Sequence, residues 1–481
     1  MKRLLSKIKE HFRKPELEFN KPLTSADVVR MFKMKQFNGL KKLMPQFNWG
    51  GKRLSRSKSA LVVLGFIVGI GLFSLTGNPL PLLISVLSVS YGTKKAFNLV
   101  DTEYISVTTL DSTHVFIAYR DDGGDDYGCG IVASLSGTTI TYGAENVFNS
   151  GLTHNISVAA LDSTHVFIAY KDGGNSGYGT GIVALISGTT ISSYGSANVF
   201  HEVSIAYPAV TALDSTHVFI AYGGVGSEGT GIVGVISGTT ISSYGSLVLF
   251  NAAYSPYISV ATIDSTHVFI VYQDNTNSQY GTGIIGLISS GTTITYGAEN
   301  VFSEGTQLES SIALLDSTHV FIAYRDASNH RYGTGVVAVF SGTTISSYGA
   351  KKVWSGTTAL ISTLDVTTLD STHAFIAYRV SHGEGIVATI SGTTISYGTA
   401  VDFNDVYITY PSVCTLDSTH VFIGYDDKGS ADDYGEGVVG IYTPPVVGPA
   451  NLKSFNGVAS ADIKSINGVA IASVKSVNGV E

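Results

Sequence analysis

The sequence predicts an all-β fold: a seven-bladed β-propeller of four-stranded antiparallel blades, closed by an N-terminal strand and preceded by an N-terminal transmembrane helix. Three observations lead there. The motif Leu-Asp-Ser-Thr-His-Val-Phe-Ile-Ala-Tyr at 110–119 returns six more times with small changes. Its aspartates (Asp111, Asp162, Asp214, Asp264, Asp316, Asp370, Asp417) lie 47 to 54 residues apart, a period suited to propeller blades and too long for most solenoid coils. Each repeat holds four short apolar stretches between turn residues. Residues 60–77 carry no charge.

The second repeat shows the elements in order. Residues 155–161 form a first strand, Asp162-Ser163-Thr164 a turn, and 165–170 a second strand rich in β-branched and aromatic residues. A glycine-rich loop leads to a third strand at 180–186. Ser187-Gly188-Thr189 then turns the chain into a fourth strand that ends near Val199 and Phe200. Four strands expose two faces that only neighbouring blades can cover. The seventh repeat runs through its third strand to Thr443-Pro444-Pro445 and lacks a fourth. Residues 84–97 match the fourth-strand segment 345–354 in Ser-Tyr-Gly, Lys-Lys and a following aromatic, so the N-terminal stretch is expected to supply the missing strand and remove an open edge.

Charge is segregated. Residues 1–58 hold 16 Lys or Arg against 4 Asp or Glu, and the remainder 13 against 33. Residues 1–59 therefore read as a basic, partly helical cytoplasmic segment with apolar stripes at Leu4, Leu5, Ile8 and Phe12 and a helix cap at Ser25. Residues 60–77 read as the membrane helix, too far from the start for a cleaved signal, with the propeller (78–443) outside. Nucleic acid is not the expected partner, because no recognised motif accompanies the basic helices. Pro-rich 444–452 is a spacer. In 453–481, Lys453, Lys464 and Lys475 each precede a Ser-x-Asn-Gly-Val run, which predicts a hairpin each time. Oligomerisation is expected through the helix or this tail.

The Leu-Asp-Ser-Thr, Phe-Ile-Ala-Tyr and Ser-Gly-Thr-Thr-Ile elements resemble those of uncharacterised bacterial and phage seven-bladed repeat proteins over most of 84–442. The tail resembles the Lys-Ser-x-Asn-Gly-Val runs of phage-related and bacterial surface proteins. Neither resemblance implies a catalytic role. The Gly-His and Trp-Asp pairs of WD40 repeats and the Ser-x-Asp-x-Gly-x-Thr-Trp box of sialidases are absent from the sequence.

Comparing the copies separates one uniform end from one variable end. Asp-Ser-Thr and Ser-Gly-Thr-Thr turns share the first; the second-to-third and repeat-to-repeat connections share the other and differ from copy to copy. Diverse loops on a rigid scaffold suit binding. The expected ligand-binding residues there are Tyr104, Arg120, Tyr207, Tyr254, Tyr257, Arg325, Trp354, Arg379, Tyr407 and Tyr410, aromatics for sugar rings or protein anchors and arginines for carboxylates. Asp121, Asp122, Asp125 and Asp126 of the first repeat and Asp426, Asp427, Asp432 and Asp433 of the seventh are the candidate calcium ligands, although they lack the spacing of a calcium loop. No other cofactor is implied. Seven equivalent histidines, His114, His165, His217, His267, His319, His373 and His420, read as structural. Glu228, Glu384 and Glu436 occupy related loop positions without a nucleophile-base spacing. Cys129 and Cys414 fall on different strand types, and no bridge is expected.

The function that follows is non-enzymatic: a membrane-anchored surface recognition or adhesion module that binds a glycan or protein. A phage virion or tail-associated receptor-binding protein, and a glycan-cleaving hydrolase, are the alternatives.

Overall fold

The computed structural model describes residues 88–224, 226, 228–354, 361–429 and 433–444, with six short strands outside this range. Two compact units divide the chain: 85–445, and 1–84 with 446–481. In the second of these, Asn48–Trp49 pairs with Lys52–Arg53, Ser454–Phe455 with Val458–Ala459, and Ser465–Ile466 with Val469–Ala470, all antiparallel. The last two pairs flank Asn456-Gly457 and Asn467-Gly468, where the tail predicts hairpins. The anticipated basic helices and residues 60–77 lie outside the described residues.

In the larger unit every repeat contributes an innermost, a second and a third strand, as in Thr153–Ala160, His165–Asp172 and Tyr178–Ser187 of the second repeat. The second strand carries the run Val-Phe-Ile-Ala-Tyr, buried without alternation because each of its faces meets a neighbouring repeat. Phe116 and Ala118 of the first repeat pack with Val166, Ile168 and Tyr170 of the second. Val115, Ile117 and Tyr119 pack with Cys414, Phe422 and Val439 of the seventh. Each large side chain so enclosed contributes about 1.5–3 kcal/mol.

Innermost strands of successive repeats touch, and the seventh touches the first. Side chains tie them together. The amides of Val158, Val210, Ile312, Val366 and Val107 donate to Ser106, Ser157, Ser259, Ser311 and Ser412 Oγ at 3.1–3.3 Å, and the Val413 amide donates to Asp365 at 2.8 Å. Where the equivalent residue is Ala209, Thr211 and Thr262 hydroxyls meet at 2.8 Å instead. At the seam, Ser88–Tyr91 pairs with the third strand of the seventh repeat, Ser88 opposite Thr443 and Tyr91 opposite Gly440. Lys95–Asp111 continues the pairing, with Ala96 opposite Glu436.

Three parts of the expected fold require correction. Repeats are not four-stranded: the outer position holds two short strands in tandem, as Thr190–Tyr194 and Asn198–Ser204, both on Tyr178–Ser187. The break lets Tyr194 reach back to the preceding repeat while Phe148 and its counterparts reach forward. Sheets are neither one per repeat nor closed on themselves, since the 17-residue strands Lys95–Asp111 and Asn300–Asp316 run unbroken from one repeat into the next and merge two pairs of repeats into nine-stranded sheets. Finally, no helix among the described residues is long and apolar enough to cross a membrane; helix there amounts to short 3-10 turns such as Gly173–Asn175 and Ala327–Asn329. Missing charge reports hydrophobicity, and hydrophobicity alone does not assign a helix. What stands is an all-β, propeller-like arrangement of sheets.

Candidate functional site

Innermost strands start at the variable end, and there the backbone is strained. At the same point of six repeats a non-glycine residue takes a left-handed φ: Tyr104 52°, Asn155 47°, Tyr207 51°, Tyr257 57°, Glu309 33° and Tyr410 48°. The strand register skips beside them, between Glu103 and Ser106, Ala206 and Ala209, Leu308 and Ser310, and Thr409 and Ser412. Such bulges turn side chains away from the ladder and recur next to binding and active sites.

The predicted aromatic and arginine residues fall into two groups around this rim. In the first, the Tyr104 and Tyr410 rings lie 5.2 Å apart, with His154 edge-on to Tyr104 at 5.6 Å and the Arg120 guanidinium 5.1 Å from the Tyr104 ring. Arg120 is buried and donates to Glu103 at 2.6 Å and Asp122 at 3.1 Å. In the second, Tyr207 and Tyr257 rings stand 5.8 Å apart, and Tyr207 and Tyr254 are 36% and 40% exposed. Burial pushes the Tyr207 phenol up to about 12, with Tyr254 adding to it. Glu309 belongs here too: burial pushes its carboxyl up to about 7 against the pull of Arg325 and Arg379. Its buried Oε2 has no hydrogen-bond partner, nor does Arg325 Nε. Arg379 donates to Ser362 Oγ and to the Ile408 carbonyl, and lies 4.3 Å from the ring of exposed Tyr407, a cation–π contact of about 0.5–1 kcal/mol.

Trp354 belongs to neither group. It is buried over Gly333, where a Cβ would lie 2.2 Å from the indole, and packs edge-on against Tyr378 and Tyr397 at 6.0 and 5.8 Å. Phenylalanines fill this position in other repeats, so Trp354 is a packing residue between the fifth and sixth.

The candidate calcium ligands do not converge. Asp121 accepts from the Gly123 amide, Asp125 is exposed, and Asp122 and Asp126 flank Arg120. Asp426 and Asp433 hold Lys428 at 2.9 and 3.1 Å, and Lys428 also bonds Asp101 of the first repeat at 2.8 Å. Asp427 holds Lys94 at 2.6 Å. Asp432 lies outside the described residues. Ammonium and guanidinium groups therefore sit among these carboxylates. Burial pushes Asp426 up to about 7 all the same.

At the uniform end each motif aspartate accepts from the amide and hydroxyl of the following threonine and meets histidine Nδ1; for Asp264 these distances are 2.7, 2.7 and 3.0 Å. The histidines brace turns, as their repetition implies. A shallow cavity of about 350 Å³ lies between the third and fourth repeats at this end, against Asp214, His217, Thr266 and Gly291. Both cysteines are free and buried. Sequence reasoning passed over Glu309, Glu103 and His154, although aligning the copies on the valine three residues beyond Tyr104 puts Glu309 in the tyrosine column.

No protein-family model and no curated protein matches the chain. Among solved structures, it is similar to the BP39L lectin from Burkholderia pseudomallei (TM-score 0.54, 7% identity, 72% of this chain and 99% of that one). AofleA from Arthrobotrys oligospora gives a TM-score of 0.41 at 8% identity over 67% of this chain and 94% of its own. The Cps50 (Swd1) beta-propeller domain from Myceliophteria thermophila gives 0.49 at 7% identity over 74% and 100%. At such identity, the likeness to BP39L establishes a shared fold.

Proposed function

We propose that the protein is a non-enzymatic recognition module that binds a glycan at the variable end of its repeats. The observation that carries this reading is the cluster of Tyr207, Tyr254 and Tyr257, half-exposed phenols of which Tyr207 and Tyr257 sit at strained strand starts and Tyr254 ends an outer strand, beside Glu309 and Arg325. Rigid aromatic faces bind the apolar faces of sugar rings at low entropic cost, and adjacent charged groups order their hydroxyls. The fold shared with BP39L, a protein named a lectin, supports the reading. A glycan array probed with the full chain, followed by calorimetric titration of the best binder, tests it. Tyr207→Ala is expected to weaken that binding at least tenfold, about 1.4 kcal/mol, with the melting temperature unchanged. A chain that binds no glycan, or a Tyr207→Ala variant that binds as the parent does, sinks the proposal.

A further inference from the structure

One conserved feature of the ring fails in a single place. In six repeats the tyrosine of the first outer segment donates its hydroxyl to a backbone carbonyl of the preceding repeat: Tyr142, Tyr194, Tyr244, Tyr296, Tyr348 and Tyr397, at 3.1–3.4 Å. The seventh, Tyr91, reaches into the sixth repeat in the same way, so close to Gly385 that a Cβ there would lie 2.1 Å from its oxygen. Its enclosed hydroxyl has no partner. Its ring stands edge-on to Phe403, the residue after Asp402, at 5.8 Å, and Gly385 follows Glu384, so the hydroxyl lies in the neighbourhood of those two acids.

Both acids break the repeat pattern. Glu384 stands where other repeats carry Thr180, Thr230, Thr282 and Thr334, and Asp402, directly opposite across the strand pair, stands where they carry Val199, Leu249, Val301 and Val353. Two carboxylates facing each other destabilise a sheet unless a cation joins them. In the seventh repeat Glu436 also replaces the threonine, but Ala96 faces it and Lys94 neutralises it at 2.9 Å. The sixth repeat has His382 instead, Nε2 lying 3.1 Å from Glu384 Oε1 and 3.3 Å from Asp402 Oδ1.

We propose that His382 Nε2, Glu384 Oε1 and Asp402 Oδ1 form a binding site for a divalent transition-metal ion of the zinc class. Ligand atoms of a tetrahedral ion with bonds of about 2.0 Å stand about 3.3 Å apart; the two distances from His382 Nε2 match this, and all three ligand atoms lie within 4.8 Å of one another. One imidazole with two carboxylates suits zinc and its neighbours better than calcium. Two of the ligands have an outer partner: Ser381 Oγ lies 3.0 Å from His382 Nδ1, and accepting from Nδ1–H it leaves Nε2 its lone pair, while the Tyr378 hydroxyl donates to Glu384 Oε2 at 2.6 Å. Asp402 is 61% exposed on its side chain, which leaves a fourth position open to water. The Tyr91 hydroxyl finds its missing acceptor in that water or in a ligand carboxylate. The ion thereby joins the strand Ser88–Tyr91 to the sixth repeat, independently of any glycan.

Chelator-stripped full-length protein, titrated with Zn2+ by calorimetry and with Co2+ by visible absorption, tests the proposal. One equivalent of Zn2+ and the visible bands of four-coordinate Co2+ are expected. Asp402→Val, which restores the residue type of other repeats, and His382→Ala should each lower Zn2+ affinity at least tenfold and abolish the Co2+ bands. Tyr91→Phe should weaken binding about tenfold. If the parent takes up no Zn2+, or binds it as Asp402→Val does, the groups are a plain ion pair and the proposal is overturned.

Discussion

The motif aspartates of the uniform end and two buried carboxyls of the variable end, Glu309 and Asp426, respond to pH in opposite senses. At the uniform end, burial raises the carboxyl of Asp264 but its bonds to Thr266 and His267 outweigh this and hold it down to about 2; the other six motif aspartates are lowered in the same way. At the variable end, burial raises Glu309 and Asp426 to about 7. A carboxyl lowered by folding stabilises above its unfolded value near 3.9 and loses that contribution as pH falls; one raised by folding stabilises at low pH and loses it as pH rises through 7. One end is built to hold turns. The other stores buried charge and strained backbone, as binding surfaces do.

The largest expected effect tests where the second end begins. Trp354→Ala should cost about 3–5 kcal/mol in denaturant unfolding, because the indole fills a packed joint; unchanged stability with lost ligand binding would return Trp354 to the binding surface. Next, Glu309→Gln should abolish a pH dependence of about 2 kcal/mol: from pH 5 to 8 the parent should lose stability relative to the variant, and parallel curves would show that Glu309 ionises freely. Smaller still, Asp264→Asn should cost about 1 kcal/mol at pH 7, a difference that closes as pH falls from about 4 to 2. A gap persisting at pH 2 would mean that shape, not charge, makes that turn.

Much of this division was legible in the repeats. Their turns, period and uninterrupted apolar second strands follow from local chemistry, and the match of Ser-Tyr-Gly before the first repeat to the outer segments located the strand that pairs beside Gly440. Trp354 was misread because an aromatic near a variable loop looks the same in sequence whether its ring turns inward or outward. Split outer strands and the 17-residue strands shared between repeats escaped for a similar reason: the breaks follow where neighbouring rings and hydroxyls need room. For the sixth repeat, by contrast, Asp402 in a valine column was already a signal.

Turn residues, strand pattern and copy number depend on neighbours close along the chain, so composition and spacing specify them. Which carboxylates lose water, which rings pair across the rim, and which hydroxyl is left without an acceptor depend on residues one repeat or a whole circuit away. Tyr91 and Phe403 are more than three hundred positions apart, and their rings stand 5.8 Å from each other. Packing brings them together, because burial and pairing are properties of a neighbourhood in space.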